Sequence, residues 1–229
     1  PIKKLNLSGD DILNRNGYVD IVGDINVEND DTFKDSLFVD ITFDNKGNYY
    51  VLDSVRGRIF CYNYDGYLLF AFGDLGEDMG EFISPGAMTY HNDKLYVTDL
   101  GDGSISVFTF NEYGQMIIEA DENYTKGNFD ESFNGFQKVL LYNANLEFAH
   151  TQLGKIYLVR QDYKNALISF ENGNYRGSEV TQMDGYNKAY TELRKVQANQ
   201  VVPILFCALL TIYLVYKFVK SYRKRRAKR

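Results

Sequence analysis

Residues 201–219 read VVPILFCALLTIYLVYKFV, an apolar run whose one charge, Lys217, lies near its end. A segment like this has few folded solutions, because it offers no polar face to water and must pair its backbone amides internally. At about 1.5 Å per residue, about 19 residues span about 28 Å, close to a hydrocarbon core of about 30 Å. The run predicts one transmembrane helix, with Pro203, Leu205, Phe206, Leu209, Leu210 and Tyr213 as its anchoring residues. Pro203 is expected in the first turn, where a missing N–H costs least. Lys217 can extend its stem along the apolar surface and reach the headgroups.

The flank sets the expected orientation. Lys217, Lys220, Arg223, Lys224, Arg225 and Arg226, followed by Lys228 and Arg229, form a basic tail without an acid. Basic residues beside a span are retained in the cytoplasm and attract anionic lipid. The tail is read as a topogenic flank in preference to a specific lipid or nucleic-acid site. These eight cations leave 17 of the 25 Lys+Arg in residues 1–200 against all 31 Asp+Glu, a net charge of −14. That acidic part should repel nucleic acid and anionic membrane. The expected arrangement is a single pass through the plasma membrane, with the soluble part extracytoplasmic and the C-terminus cytoplasmic.

Cysteine and the chain start add little. Cys207 lies in the span, which leaves Cys61 without a soluble partner and gives neither a disulfide framework nor a CxxC pair. The sequence starts at Pro1 with no visible signal peptide, so the chain is read as the C-terminal part of something longer. Without an upstream signal, the same anchor would make a tail-anchored protein with a cytoplasmic body.

Two repeat systems precede the anchor. Short β-branched and aromatic runs occupy 37–43 (LFVDITF), 48–53 (NYYVLD), 58–64 (RIFCYNY) and 67–72 (YLLFAF), with Gly- and Asp-rich turns between them. The pattern returns at 85–90, 94–99 and 104–110. Val51 and Asp53 align with Val97 and Asp99, and Ile59 with Ile105, all 46 residues apart. A four-strand unit at this period predicts β-propeller blades. The run from Asp44 to Asp99 resembles consecutive NHL repeats: a glycine turn, an aliphatic-Val-Asp strand end, an Arg-Ile strand and an Asp-Gly turn. A Gly-x-Phe-x-x-Pro lead follows, fitted by Gly80, Phe82 and Pro85 with one residue of displacement. The resemblance covers 37–114, with a piece of a further blade expected at 18–27. It implies that the remaining blades come from upstream sequence or from a partner, since two blades leave strand edges open.

The second system is helical and repeats at 34. Helical periodicity runs over 123–141 and 150–175. Gly127, Phe129, Ser132, Phe136 and Val139 align with Gln161, Tyr163, Ala166, Phe170 and Gly173, and Ala120 aligns with Gly154. Small residues let helices approach, and the aromatics fill the space between them. The pattern resembles a tetratricopeptide repeat, except that a Tyr142-Asn143-Ala144-Asn145 turn replaces the usual proline. Residues 186–200 read as a polar last helix leading toward the span.

The organisation expected is multi-domain β plus α. A partial preceding blade or irregular segment fills 1–36, two NHL-like blades 37–118, and tetratricopeptide-like repeats 119–200. The span at 201–219 and a basic tail at 220–229 complete it. This order resembles bacterial envelope proteins often encoded beside carbohydrate ABC-transporter components. The resemblance implies a membrane-anchored interaction scaffold with protein partners, transporter components among them.

Residues able to do chemistry are sparse. His91 and His150 fall in different modules and have no zinc-ligand spacing. Asp30-Asp31, Glu77-Asp78, and Asp99 with Asp102 do not follow a DxDxDG calcium loop. Asp53 and Asp99 are expected to cap turns, and Arg58 to span neighbouring strands. Glycines such as Gly73 and Gly76 lie between strands and do not precede a helix, so they do not suggest a phosphate cradle. The 19 Tyr and 16 Phe suit repeat cores better than sugar stacking. No catalytic residue, metal ligand or cofactor is assigned, and the chain is read as non-enzymatic. The rival readings are a glycan or peptide sensor through a complete propeller, and a metal-dependent propeller hydrolase or lyase.

Overall fold

A computed structural model describes residues 2–13, 23, 35–173 and 180–226. The segment expected to carry a further blade piece, 18–27, lies outside these residues apart from Gly23.

Strands β1 (Phe38–Phe43), β2 (Tyr49–Asp53), β3 (Arg58–Tyr62) and β4 (Leu68–Phe72) form a four-stranded antiparallel sheet in chain order. Side-chain turn chemistry makes the hairpins. Asp44 Oδ1 accepts from the N–H groups of Lys46 (2.8 Å) and Asn48 (2.9 Å), closing β1 onto β2. Asn63 Oδ1 accepts from those of Asp65 (3.1 Å) and Tyr67 (2.9 Å), closing β3 onto β4. Gly57 (φ +62°) and Gly73 (φ +87°) meet where the β2–β3 turn crosses the loop after β4. A Cβ on Gly57 would lie 2.5 Å from the Asp74 carbonyl oxygen, and one on Gly73 would lie 2.5 Å from that of Gly57.

Every residue of β2 is buried, because the sheet is covered on both faces. Tyr50, Leu52, Ile59 and Cys61 join the main core. Tyr49, Val51, Phe60 and Tyr62 form a smaller cluster against Ile2, Leu13 and Phe38.

A second antiparallel sheet has β5 (Pro85–His91), β6 (Lys94–Asp99) and β7 (Ser104–Phe108). It reproduces the first in detail. Asp53 Oδ1 accepts from the N–H groups of Leu37 (3.0 Å) and Val55 (2.9 Å). Asp99 accepts from those of Ile83 (2.7 Å) and Gly101 (2.8 Å), the same bonds 46 residues later. The sheets meet along β1 and β5: Asp40 Oδ2 accepts from Met88 N–H (2.6 Å), and Thr42 Oγ1 accepts from Tyr90 N–H (3.1 Å). The repeat breaks at its last strand. Ile59 is fully buried while its counterpart Ile105 is 64% exposed, because the chain turns into a helix where a fourth strand would cover β7.

That helix is α1 (Glu112–Thr125), whose first turn is capped by Asn111 Oδ1 accepting from Gly114 N–H at 2.9 Å. It begins within the stretch read as β from the sequence. Next come α2 (Phe129–Tyr142), α3 (Glu147–Val159), α4 (Tyr163–Asn172) and α5 (Val180–Arg226). Helices α1 and α2 pack as one pair, and α3 and α4 as another. The loop within each pair is the same object 34 residues apart. Asn128 N–H bonds to the Asn123 carbonyl and Asp162 N–H to that of Tyr157, each at 2.9 Å. Gly127 (φ +81°) and Gln161 (φ +59°) hold the matched left-handed position. The helical stretch expected over 123–141 is therefore broken at 126–128, with α1 lying mostly upstream of it.

Small residues set the close approaches. Ser132 Oγ donates to the Ala120 carbonyl at 2.8 Å, and a Cβ on Gly135 would fall 2.8 Å from that of Ala120. A Cβ on Gly154 would meet the Phe170 ring at the same distance, 2.8 Å. One hydrophobic core runs from the sheets through Ile117, Ile118 and Phe136 to Phe148, Leu153 and Ile156, so sheets and helices share their interior.

Candidate functional sites at the apolar helix and the sheet–helix junction

Helix α5 is 47 residues long, about 70 Å at the usual rise. Its start docks on α4 through Ala189 and Tyr186 against Phe170. Beyond that it leaves the body and becomes apolar. Leu205, Phe206, Leu209, Leu210 and Tyr213 are all exposed along one face, and Ile204, Ile212, Leu214 and Val215 are exposed on the others. The stretch is long and apolar enough to cross a membrane, and none of it is buried in the protein. Lys217 and Lys220 are exposed at its end. Arg223, Lys224, Arg225 and Arg226 occupy the last helical positions, in continuous register with the apolar run.

One expectation is corrected. Pro203 does not sit in a first turn, because the helix begins at Val180 and passes through Pro203 without interruption. The polar segment 186–200 is already helical when the apolar run begins. Proline supplies no N–H at that point, so the carbonyl of Asn199 has no intrahelical donor. This carbonyl falls at the boundary between the polar and apolar stretches.

The second site lies where the sheets meet the helices, and sequence reasoning did not find it. Asp121 of α1 is buried beneath the β3–β4 turn. Its Oδ2 accepts from Asn63 Nδ2 at 3.0 Å, and its Oδ1 from Gln152 Nε2 of α3 at 3.2 Å. Burial pushes this carboxyl up to about 6; Asp65 adds to the rise, while the Asn63 and Gln152 hydrogen bonds and Lys155 oppose it. Lys155, one turn along α3, donates from Nζ to Tyr67 Oη at 3.0 Å and lies 4.5 Å from the centre of that ring. Burial lowers its pKa against the pull of Tyr124, Asp65 and Asp121. Gln152 Oε1 is buried with no hydrogen-bond partner. Beside the cluster, Glu122 pairs with Lys126 at 2.6 Å and with Lys46 at 3.0 Å, which holds its carboxyl below the usual range.

An open cleft of about 460 Å³ borders this junction, lined by Asp44, Lys46, Tyr90, Asp93, Phe110 and Glu119 among others. Tyr90 Oη donates to Asp93 Oδ1 at 3.0 Å on its rim. Asp44 is already engaged, accepting at Oδ2 from Asn48 Nδ2 (2.8 Å) and Tyr50 Oη (3.1 Å).

The residues weighed for chemistry are dispersed. His91 ends β5, and His150 lies in α3 with its Nε2 2.8 Å from the Ala144 carbonyl oxygen. Asp102 accepts from Ser104 N–H at 2.9 Å, and Asp53 and Asp99 serve the turns described above. Among the described residues, no three His, Cys, Asp or Glu side chains converge as metal donors. Compared with known proteins, the chain matches no family model, and no curated protein matches it significantly.

Proposed function

We propose that the chain is a membrane-anchored, non-enzymatic interaction scaffold of the cell envelope. In this reading the two sheets are NHL-like propeller blades and the helix pairs are tetratricopeptide-like hairpins. The body is extracytoplasmic, the basic tail is cytoplasmic, and the partners are proteins of the membrane, carbohydrate-transport components among them. The observation that carries the reading is α5 itself. It docks on the second hairpin and continues unbroken into the apolar run, so whatever binds the body is held at a fixed distance from the bilayer. The bonds repeated at spacings of 46 and 34 support the repeat assignment. Broad repeat surfaces suit partner binding.

The test is affinity capture of the full chain from native membranes after in situ crosslinking. Reproducible recovery of the same transport or envelope protein is expected, and recovery of none overturns the scaffold reading. A protease-protection assay on a tag after Arg229 tests the topology: the tag should be shielded in intact cells.

The cleft bordered by Tyr90, Asp93 and Phe110 favours one second reading, a sensor for a small polar ligand such as a glycan or peptide. A thermal-shift screen of the full chain separates the two, since a ligand-dependent rise belongs to the sensor alone.

A further inference from the structure

The junction cluster holds a mismatch that points beyond anchoring. Asp121 is the acceptor for two amide donors, one from the sheet and one from α3, yet it lies where burial favours its neutral form. A protonated carboxyl must donate its hydrogen, yet both hydrogen-bond partners of Asp121 present N–H donors to it. From the sheet side it is faced by Asn63, Asp65 and the Cys61 thiol, with Tyr67 reaching Lys155 beside them. From α3 it is faced by Gln152 and Lys155, and on α1 by Tyr124, with the Glu122 ion pair alongside.

Asn63 cannot rotate to accept the proton. Its Oδ1 holds the β3–β4 turn through Asp65 N–H (3.1 Å) and Tyr67 N–H (2.9 Å). Lys155 offers no acceptor. Gln152 can rotate, because its Oε1 bonds nothing and turning the amide sacrifices only the bond to Asp121 that protonation itself removes.

We propose that Asp121 and Gln152 form a two-state hydrogen-bond switch coupling the sheets to the anchored helices. In the ionised state, Gln152 Nε2–H donates to Asp121 Oδ1. When a solvent proton is taken up on Oδ1, the amide rotates by half a turn, and the new O–H donates to Gln152 Oε1. The Asn63 bond to Oδ2 persists in both states, so the sheet side stays fixed and the change falls on α3. That helix packs on α4, and α4 packs on α5. Protonation is thereby read out along the path leading to the membrane.

The test is NMR on the full chain in nanodiscs, following the Asp121 carboxyl carbon and the Gln152 side-chain amide from pH 4 to 8. Both are expected to move together with a midpoint near 6. In Asp121→Asn, whose carboxamide stands in for the neutral acid, the Gln152 amide should lose its pH dependence. A carboxyl midpoint at the ordinary value of about 4 would overturn the switch. So would a Gln152 amide that ignores the Asp121 titration. Both of these are read on the unaltered chain, so the outcome does not depend on the variant folding.

Discussion

Asn63 and Asp121, 58 residues apart in the chain, meet in a buried hydrogen bond of 3.0 Å that ties the β3–β4 turn to α1. The bond joins the part of the chain built on a 46-residue period to the part built on a 34-residue one. Lys155 and Tyr67, 88 residues apart, make a second tie at 3.0 Å. These polar contacts flank a continuous apolar core, so the sheets and helices should unfold together.

Replacing Asp121 separates charge from hydrogen bonding. Asp121→Ala leaves Asn63 Nδ2 and Gln152 Nε2 as buried donors without an acceptor, at a cost of about 2–4 kcal/mol. Asp121→Asn keeps an acceptor for Asn63 and should cost less. Chemical unfolding of the full chain in detergent at pH 7 measures both.

Two carboxylates should act on stability in opposite directions with pH. Asp121 has a raised folded-state pKa of about 6, so the protonation-linked part of its contribution is complete below about pH 4 and disappears as pH rises through 6, leaving its role as acceptor for Asn63 and Gln152. Its share of the loss between pH 4 and 7 is about 3 kcal/mol. Burial tends to raise the Asp99 pKa, but the N–H groups of Gly101, Ser84 and Ile83 outweigh it and lower the value. The Asp99 contribution is therefore present above the ordinary carboxylate range and disappears in stronger acid. Melting temperatures of wild type, Asp121→Asn and Asp99→Asn across pH 3–8 should show the two slopes vanish separately.

Gly57→Ala should destabilise the first sheet by about 1–3 kcal/mol. The new Cβ would have to displace the Asp74 carbonyl oxygen at 2.5 Å while holding φ at +62°. Thermal unfolding measures the loss, and Gly103→Ala offers a control, since its positive φ (+72°) comes with open space around the Cβ.

The α1–α2 contact allows a graded test. Ser132→Ala removes the bond to the Ala120 carbonyl and should cost about 1 kcal/mol. Gly135→Leu forces a side chain into the space against Ala120 and should cost about 1–3 kcal/mol by overpacking. Unfolding midpoints should rank the two in that order.

Leu209→Arg should weaken membrane integration by about 2.5–3.5 kcal/mol, the insertion cost of a charge at a helix centre. Carbonate extraction of membranes reports it as a shift of the chain into the soluble fraction. Val196→Arg, upstream in the polar stretch, should leave extraction unchanged.

How much of this was legible in advance depended on range. Strand positions followed from alternating β-branched and aromatic runs, and the carboxylates at Asp53 and Asp99 revealed the 46-residue period because each serves its own neighbourhood. The 34-residue helical period was readable for the same reason. The start of α1 was not. Residues 113–118 fall where a fourth strand would continue the β period, and the Asn111 cap turns them into helix instead. Pro203 misled because proline favours helix starts locally, whereas the polar segment before it was already helical.

By itself, the sequence determined the periods, the turn chemistry and the apolar run, all properties of residues close together in the chain. Only the tertiary structure decided that sheets and helices share one core, that Asp121 and Gln152 face each other inside it, and that the apolar run continues the last packed helix. Those depend on partners 31 to 88 residues apart. No local pattern marks such a pair, because the energetic reason for it, burial with satisfied polar groups, exists only once the chain has closed around them.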